Sequence, residues 1–379
     1  MASASSKDSL WFRQPYKTLY SSFILITLPL RFIFSFLYYI PRPLRQHPKW
    51  AYRQAIGLEI FLTWWKYTSA VRYHTSKSLK PGSLKDRFVV MQPASADPTI
   101  YRGIAYDQIV RPVTIGAVWY PAPLDPIKKV SQRVAIHFHG GAYVLGGCRP
   151  MESGWGPLVL AKHLQGPVLQ VQYRLAVEES SHFPAALQDG LTAYSYVINE
   201  LGVPSENVVL SGESAGANLV LAMIRYLSSS DGKGTLPLPR AGLLWSPWVN
   251  MVPNQLTLDE HPNARSDYMK GSILEWGATR FTPPGLDRGH PYISPLGNEF
   301  KSPVPLFVHS GTAEVLHDEH VRFAKGMRAC GTKVEFWDSE NAPHDIFGAG
   351  IILGFVDEAE VAVQKAAAFV ERVIYNRDE

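Results

Sequence analysis

The sequence predicts an α/β fold in which a mostly parallel sheet is covered by helices on both faces. From about residue 87 onward, short apolar runs alternate with segments of helix length, and several runs are apolar throughout. Parallel strands that are buried on both faces require this pattern. The chain has 379 residues, of which 46% are hydrophobic and 18% charged. This composition supplies a large core and excludes a disordered or collagen-like chain.

Eight short apolar runs predict the strands of the sheet. In chain order they are FVVMQ, TIGAVWYP, RVAIHFH, PVLQVQY, NVVLSG, AGLLWSPW, PLFVHSG and KVEFWD. Helical patterns lie between them at residues 156–165, 184–201, 215–229, 318–330 and 354–374. We therefore assign residues 87–248 and 304–379 to one α/β core.

The N-terminal segment, residues 1–48, contains an apolar run at residues 18–40 that is interrupted by Pro29 and Arg31. About 20 apolar residues suffice to span a bilayer. The run predicts a membrane anchor that spans the membrane or lies in its interface, and the alternative is a buried helix of the globular domain. We expect an endoplasmic-reticulum membrane protein with a cytosolic body, or else a cytoplasmic protein. The chain has no Asn-x-Ser/Thr sequon, which favours a cytosolic over a luminal body.

Two further segments are candidates for a lid over the core. In residues 49–86, apolar side chains recur at helical spacing and include Trp64 and Trp65. Residues 249–303 form a long insertion, rich in Pro, Asn and Gly, after the sixth strand. The tryptophan face either looks into a pocket or packs on the core, and the sequence does not separate the two.

The charge and the cysteines exclude several classes of function. The net charge is +4 and the basic residues are scattered, so no nucleic-acid partner is expected. Cys148 and Cys330 form neither a disulfide framework nor a metal-ligand spacing. We expect two free thiols, no metal and no cofactor.

Ser214 lies in the stretch VVLSGESAGANLV, where an apolar strand runs into a helical pattern. A Gly-x-Ser-x-Gly turn between a strand and a helix is a nucleophile elbow, which lifts the serine hydroxyl out of the sheet. Gly212 and Gly216 permit the close approach of helix and strand. The helix that begins behind Ser214 also favours developing negative charge.

A serine nucleophile needs donors for the oxyanion, and the stretch HFHGGAYVLGG supplies candidates. It follows the third strand, and Gly140 and Gly141 leave backbone N–H groups free. Together with the N–H of Ala215 they are expected to form the oxyanion hole. We expect His139 to brace this loop rather than to transfer protons.

The acid and the base follow Ser214 in the chain order that the elbow requires. Two carboxylates compete for the acid in HSGTAEVLHDEH. Glu314 is on the turn at the end of a strand, whereas Asp318 falls where the next helix starts and suits an N-cap. The base is His344, in the loop that follows the last strand.

The chain resembles the hormone-sensitive-lipase-like family of α/β-hydrolases. The resemblance covers about residues 85 to 374 and rests on HFHGGAYVLG, YRLAVEESSHFPAALQDGLTAY, GESAGANL, LLWSPW, PYISPL, GTAEVLHDE and PHDIF. It implies the α/β-hydrolase fold, the triad Ser214, Glu314 and His344, and a lid built from the N-terminal region and the insertion. The family usually has Asp where this chain has Glu314. The apolar N-terminus and GTAEVL are similar to fungal members, which are often associated with deacylating sterols or secondary metabolites.

The resemblance implies a serine carboxylesterase, and we expect a short acyl group, such as acetyl, on a bulky apolar alcohol. Five aromatic residues are candidates for the pocket lining: Trp64, Trp65, Trp245, Trp248 and Phe281. The alternatives are an amide or formamide hydrolase, a lactonase, an acyl transferase in a biosynthetic pathway, or a non-catalytic receptor. The last is disfavoured because the base, His344, is present.

Overall fold

A single sheet of eight strands organises the protein. The computed structural model describes residues 10–73, 77–94, 98–128, 130–252 and 258–375. The strands are β1 (Phe88–Met91), β2 (Ile115–Tyr120), β3 (Val134–Phe138), β4 (Val168–Gln172), β5 (Val208–Glu213), β6 (Ala241–Trp245), β7 (Leu306–Gly311) and β8 (Val334–Ser339). Their order across the sheet is β1-β2-β4-β3-β5-β6-β7-β8. The eight predicted strands are confirmed.

Only the first part of the sheet is antiparallel. β2 pairs antiparallel with β1 and with β4, whereas β4, β3, β5, β6, β7 and β8 run parallel. The parallel strands are nearly all buried because helices cover both faces. Their carboxyl ends therefore meet at one edge of the sheet, and the chemistry of the site collects there.

The helices agree with the predicted pattern in most places. They are α1 (Tyr16–Tyr38), α2 (Tyr52–Ala70), α3 (Pro150–Ser153), α4 (Trp155–Leu164), α5 (Ala185–Ser195), α6 (Ala215–Ser228), α7 (Gly271–Phe281), α8 (His317–Ala329), α9 (Ile346–Leu353) and α10 (Val356–Tyr375). The segment before residue 354, expected to be a loop, contains the short helix α9. Its sequence IFGAGIIL has no polar face, so periodicity gave no signal.

Helix α1 is long and apolar enough to cross a membrane, and only 6% of its most apolar window is buried. This exposure does not fit the alternative of a buried helix. Parts of the predicted segments lie outside the described residues: 1–9 of the anchor, 74–76 of the lid region, 253–257 of the insertion, and 95–97, 129 and 376–379 of the core.

Candidate active site

Ser214 lies in a backbone conformation that marks a nucleophile elbow. Its φ of 49° and ψ of −113° are unfavourable for a residue with a side chain, and helix α6 begins at the next residue. A Cβ added to Gly216 would lie 1.9 Å from the carbonyl oxygen of Phe138, and one added to Gly212 would lie 2.3 Å from the carbonyl oxygen of Gly216. Both positions therefore require glycine, because β3, β5 and α6 approach closely behind the serine.

The loop after β3 passes directly over Ser214. A Cβ added to Gly140 would lie 3.3 Å from the Cβ of Ser214. Gly141 adopts a φ of +108° and has no room for a side chain against the carbonyl of Leu145. His139 is buried, and its Nδ1 donates to the carbonyl oxygen of Gly140 at 2.7 Å. Burial lowers the pKa of His139 to about 4, so this imidazole is neutral, and its role in bracing the loop stays a prediction.

The expectation that Gly140 donates to an oxyanion is not what the structure shows. The N–H of Gly140 donates to Oε1 of Glu213 at 3.0 Å. Glu213 is 4% exposed, and a buried carboxylate needs donors. Of the three predicted donors, the backbone N–H groups of Gly141 and Ala215 stay candidates for the oxyanion hole.

Glu314 lies at the carboxyl end of β7, where four donors surround its carboxylate. Oε1 accepts from the N–H of Gly311 at 2.6 Å, from Oγ of Ser310 at 2.8 Å and from Oγ of Ser246 at 3.1 Å. Oε2 accepts from Nδ1 of His344 at 2.6 Å. Burial by itself would raise the pKa of Glu314, but the charge of His320 and the hydrogen bonds with His320 and His344 hold that pKa well below its usual value.

His344 is fully buried beside Glu314. Burial would lower the pKa of this imidazole, but its hydrogen bond to Glu314 and the charges of Glu314, Asp267 and Glu213 raise the pKa above 6.5. Because Nδ1 is committed to Glu314, Nε2 is the ring atom that is left for proton transfer. The structure thus pairs the predicted base with the predicted acid.

Asp318, the alternative acid, is elsewhere. Its side chain is 78% exposed, and its nearest charged partner is His261 at 3.7 Å. The expected N-cap role is wrong as well, because α8 begins at His317 and Leu316 occupies the cap position. Position in the loop separates the two carboxylates: Glu314 is folded under the end of β7, and Asp318 lies in the first turn of α8.

Ser214 and His344 line one pocket of about 100 Å³, together with Gly140, Gly141 and Glu213. Oγ of Ser214 and Nε2 of His344 are both buried and, among the described residues, neither has a hydrogen-bond partner. Catalytic hydrogen bonds are often long in the absence of substrate and tighten when it binds. The two unpaired atoms are available to a reacting group in this pocket.

Two of the five aromatic candidates line this pocket. Trp64 and Trp65 do so from α2. Trp245 and Trp248 are fully buried in the core, and Phe281 stacks on Tyr143 with ring centroids 3.7 Å apart. For these three the pocket role is wrong, since an aromatic at the end of a buried strand or on a packed helix face fills the core.

An apolar groove of about 470 Å³ continues outward from this pocket. It shares with the pocket the residues Phe61, Trp64, Leu145, Gly146, Glu152 and Ile352. Farther out it is lined by Ile60, Tyr73, Met151 and Leu175. We call it the apolar groove below.

Sequence reasoning missed the residues that hold the acid and the loop after it. Asp267 is fully buried in the insertion, and its carboxylate accepts from the N–H of Val315 at 2.8 Å. Asn263 donates to the carbonyl oxygens of Thr312 and Glu314 at 3.1 and 3.0 Å. These contacts join segments about fifty residues apart, so no local signal in the sequence marks them.

A second carboxyl group lies near Glu213. A Cβ added to Gly348 would lie 2.5 Å from Oε2 of Glu213 and 2.8 Å from Oδ2 of Asp345. Burial, and then the charge of Glu213, raise the pKa of Asp345 well above its ordinary value. The site therefore contains a close pair of buried carboxyl groups beside the triad.

The model of the family with an alpha/beta hydrolase fold matches residues 135–348, which include the elbow, the loop after β3, the acid and the base. The chain belongs to the α/β-hydrolase fold family. The resemblance to the hormone-sensitive-lipase-like family of α/β-hydrolases and the predicted fold are both confirmed. The resemblance to fungal members and the division into lid and core segments stay predictions.

Several relatives are esterases. An acetyl-hydrolase of Streptomyces hygroscopicus is 33% identical over 204 residues, which cover 54% of this chain and 64% of the relative. The match thus spans less than two thirds of the length of that relative. An ethyl acetate hydrolase of Pseudomonas putida is 25% identical over 236 residues, which cover 61% of this chain and 71% of the relative. The crystal structure of an esterase from the bacterial hormone-sensitive lipase family shares the fold, with a TM-score of 0.60, 22% identity, and coverage of 84% of this chain and 98% of that chain. The acetyl-hydrolase and the ethyl acetate hydrolase support the predicted enzyme class, a serine carboxylic ester hydrolase.

Proposed function

We propose that this protein is a serine carboxylesterase with the triad Ser214, His344 and Glu314. The observation that carries the proposal is the 2.6 Å hydrogen bond from Nδ1 of His344 to Glu314, in the same pocket as a serine on a strained elbow. A base oriented by a buried carboxylate beside a serine on an elbow is the arrangement that activates a serine hydroxyl. The esterase relatives support the same chemistry.

The reaction follows from these positions. Oγ of Ser214 attacks the ester carbonyl while Nε2 of His344 takes its proton, and Glu314 stabilises the imidazolium that forms. The N–H groups of Gly141 and Ala215 hold the oxyanion. The imidazolium then gives its proton to the leaving alcohol, and an acyl-enzyme remains. Water attacks the acyl-enzyme with His344 as base and releases the carboxylic acid.

The two cavities support a short acyl group and a bulky apolar alcohol. The space beside Ser214, about 100 Å³, suits a small group such as acetyl. The apolar groove beyond it is several times larger and accommodates a bulky apolar group. Two relatives are named for acetyl chemistry, an acetyl-hydrolase and an ethyl acetate hydrolase. We assign acetyl to the inner space and the alcohol to the groove.

The two lid segments meet above the triad. The ring of Tyr268, in the insertion, contacts Phe61 edge-on at 4.6 Å between centroids and contacts His344 edge-on at 5.7 Å. These contacts support a lid formed by α2 and the insertion, which excludes water from the base. The exposed apolar helix α1 supports membrane association, with the endoplasmic reticulum and a cytosolic body as our assignment.

A covalent probe tests the proposal. The purified protein is treated with a fluorophosphonate, mapped by mass spectrometry, and assayed with p-nitrophenyl esters of increasing acyl length. We expect labelling at Ser214, turnover that falls as the acyl chain lengthens, and loss of at least about a thousandfold in kcat in Ser214→Ala. Folded protein that is neither labelled nor active would contradict the proposal and favour a ligand-binding role.

A further inference from the structure

We propose that α1 lies flat on the membrane surface and forms one docking face with the mouth of the apolar groove, so that apolar esters enter the groove from the lipid. The first half of the proposal, the flat orientation of α1 on a bilayer, is supported by contacts between α1 and α2. The second half rests on the proposed esterase function. The experiments below test the two halves separately.

Helix α1 is attached to the catalytic body at both of its ends. Near its start, Oγ of Ser21 and the hydroxyl of Tyr67 on α2 share a hydrogen bond of 3.0 Å. Near its end, the hydroxyl of Tyr52 on α2 donates to the carbonyl oxygen of Phe36 at 2.7 Å. The two helices thus run side by side in opposite directions. A helix held along the body at both ends presents its exposed apolar side chains to lipid sideways.

The outward face of α1 is a continuous apolar stripe. Its members recur every three or four residues and are each more than half exposed: Leu19, Phe23, Ile26, Leu30, Ile33 and Leu37. The opposite side carries the contacts with α2, including the stacked rings of Tyr20 and Tyr67. The helix therefore has one face that is attached to α2 and one continuous apolar face that is exposed.

The mouth of the apolar groove lies beside this stripe. On α2, Tyr52 and Tyr67 contact α1, and Glu59 contacts Tyr39, the residue directly after α1. Ile60 and Trp64 are 38% and 49% exposed and lie about one quarter-turn further around the same helix, at about 100° per residue. On this side the rim of the groove is formed by Ile60 and Trp64 of α2 and by Ile352 of α9, which is also about half exposed.

The charges around this face favour a lipid surface as the occupant. Residues 10–58 contain seven basic side chains and no Asp or Glu. Two of the seven, Lys49 and Arg53, pair with Glu340 and Asp357 of the body, which leaves five in excess. A basic and apolar surface binds membranes that carry anionic headgroups. A second copy of the chain seated here would instead cover the mouth of the groove that leads to Ser214. A bilayer that contacts the rim leaves the groove open to esters that are dissolved in the lipid.

Depth measurement tests the orientation of α1. Leu19→Cys, Ile26→Cys and Ile33→Cys are each labelled with a fluorescent nitrobenzoxadiazole group in a Cys330→Ser background, since Cys330 is exposed and Cys148 is buried. Quenching by spin-labelled lipids is measured in vesicles of phosphatidylcholine and phosphatidylserine. We expect all three labels at one shallow depth, and a label at Trp64→Cys in the bilayer as well. Ile127→Cys, 89% exposed at the opposite end of the sheet, is the control and stays in water.

Two outcomes overturn the orientation. A spanning helix places Ile26 deepest, because Leu19 and Ile33 are each about 10 Å further along the axis. Labels that are not quenched in any vesicle exclude a membrane face altogether. If the labels on α1 are quenched and the label at Trp64→Cys stays in water, the mouth of the groove is not part of the docking face.

Activity measurement tests entry from the lipid. The double variant Ile26→Glu, Ile33→Glu alters the exposed stripe and none of the residues of the pocket. We expect it to hydrolyse water-soluble p-nitrophenyl acetate at the wild-type rate, and to hydrolyse a long-chain alcohol acetate dissolved in vesicles at least about tenfold more slowly. Ile127→Glu serves as the matched control and leaves both rates unchanged.

The two halves of the proposal fail in different ways. Equal rates of the double variant and the wild type on the vesicle substrate would exclude entry from the lipid. Loss of both rates with an unchanged melting temperature would contradict the separation of docking face and pocket. Absence of p-nitrophenyl acetate hydrolysis in the wild-type protein would contradict the esterase function itself and leave the depth result standing.

Discussion

Glu213 and Gly140 are joined by a hydrogen bond of 3.0 Å between a carboxylate oxygen and a backbone N–H. Glu213 directly precedes the nucleophile in the chain, and Gly140 lies in the loop that passes over it. The bond therefore sets the distance between the elbow and the loop that carries the Gly141 N–H. We therefore propose that Glu213 is a positioning residue for the predicted oxyanion hole.

The role of Glu213 predicts a difference between two substitutions. Glu213→Gln keeps an oxygen that accepts from Gly140, and we expect kcat within a few-fold of wild type. Glu213→Leu leaves a buried N–H unpaired, which costs about 1–3 kcal/mol, and we expect kcat to fall about 10- to 100-fold with little change in KM. Steady-state kinetics measures the split, and a melting curve controls for folding. Equal activity of the two variants would show that the bond does not position the loop.

Removal of the acid distinguishes Glu314 from Asp318. In Glu314→Gln, the amide no longer stabilises the imidazolium, and we expect kcat to fall about 10⁴-fold. Asp318→Asn is the matched control, and we expect wild-type activity because that side chain is 78% exposed. Turnover of p-nitrophenyl acetate measures both. A large loss in Asp318→Asn with activity retained in Glu314→Gln would reverse the assignment.

The pH dependence follows from the raised pKa of His344. The base acts when it is neutral, and a raised pKa keeps the imidazole protonated up to a higher pH. On acidification, activity is therefore lost at a higher pH. We expect the acidic limb of kcat/KM to lie above pH 6.5, the ordinary pKa of histidine. In Asp267→Asn, one negative charge near the imidazole is removed, and we expect the limb to shift to lower pH. A pH–rate profile of both proteins measures this shift, and a limb that moves upward or not at all would contradict the influence of Asp267.

The close approach behind the elbow predicts the cost of a single methyl group. In Gly216→Ala the new Cβ would lie 1.9 Å from a backbone oxygen, and backbone cannot move aside cheaply. We expect a loss of about 3 kcal/mol in the free energy of unfolding. Gly285→Asn is the control, because nothing lies within 4 Å of a Cβ there and Asn tolerates its φ of +86°. Urea denaturation compares the two variants, and equal stability would refute the steric argument.

The sequence by itself determined the sheet and the elbow, singled out His344 as the base, and limited the acid to Glu314 or Asp318. These features depend on local patterns: apolar runs that must be buried, a glycine-rich turn between strand and helix, and polar residues at the carboxyl ends of parallel strands. Only the tertiary structure decided which N–H groups remain for the oxyanion, since Glu213 reaches Gly140 across 73 positions of the chain. It also decided that Trp245 and Trp248 fill the core while Trp64 lines the pocket. All three are equally apolar in sequence, and burial depends on which elements pack against them.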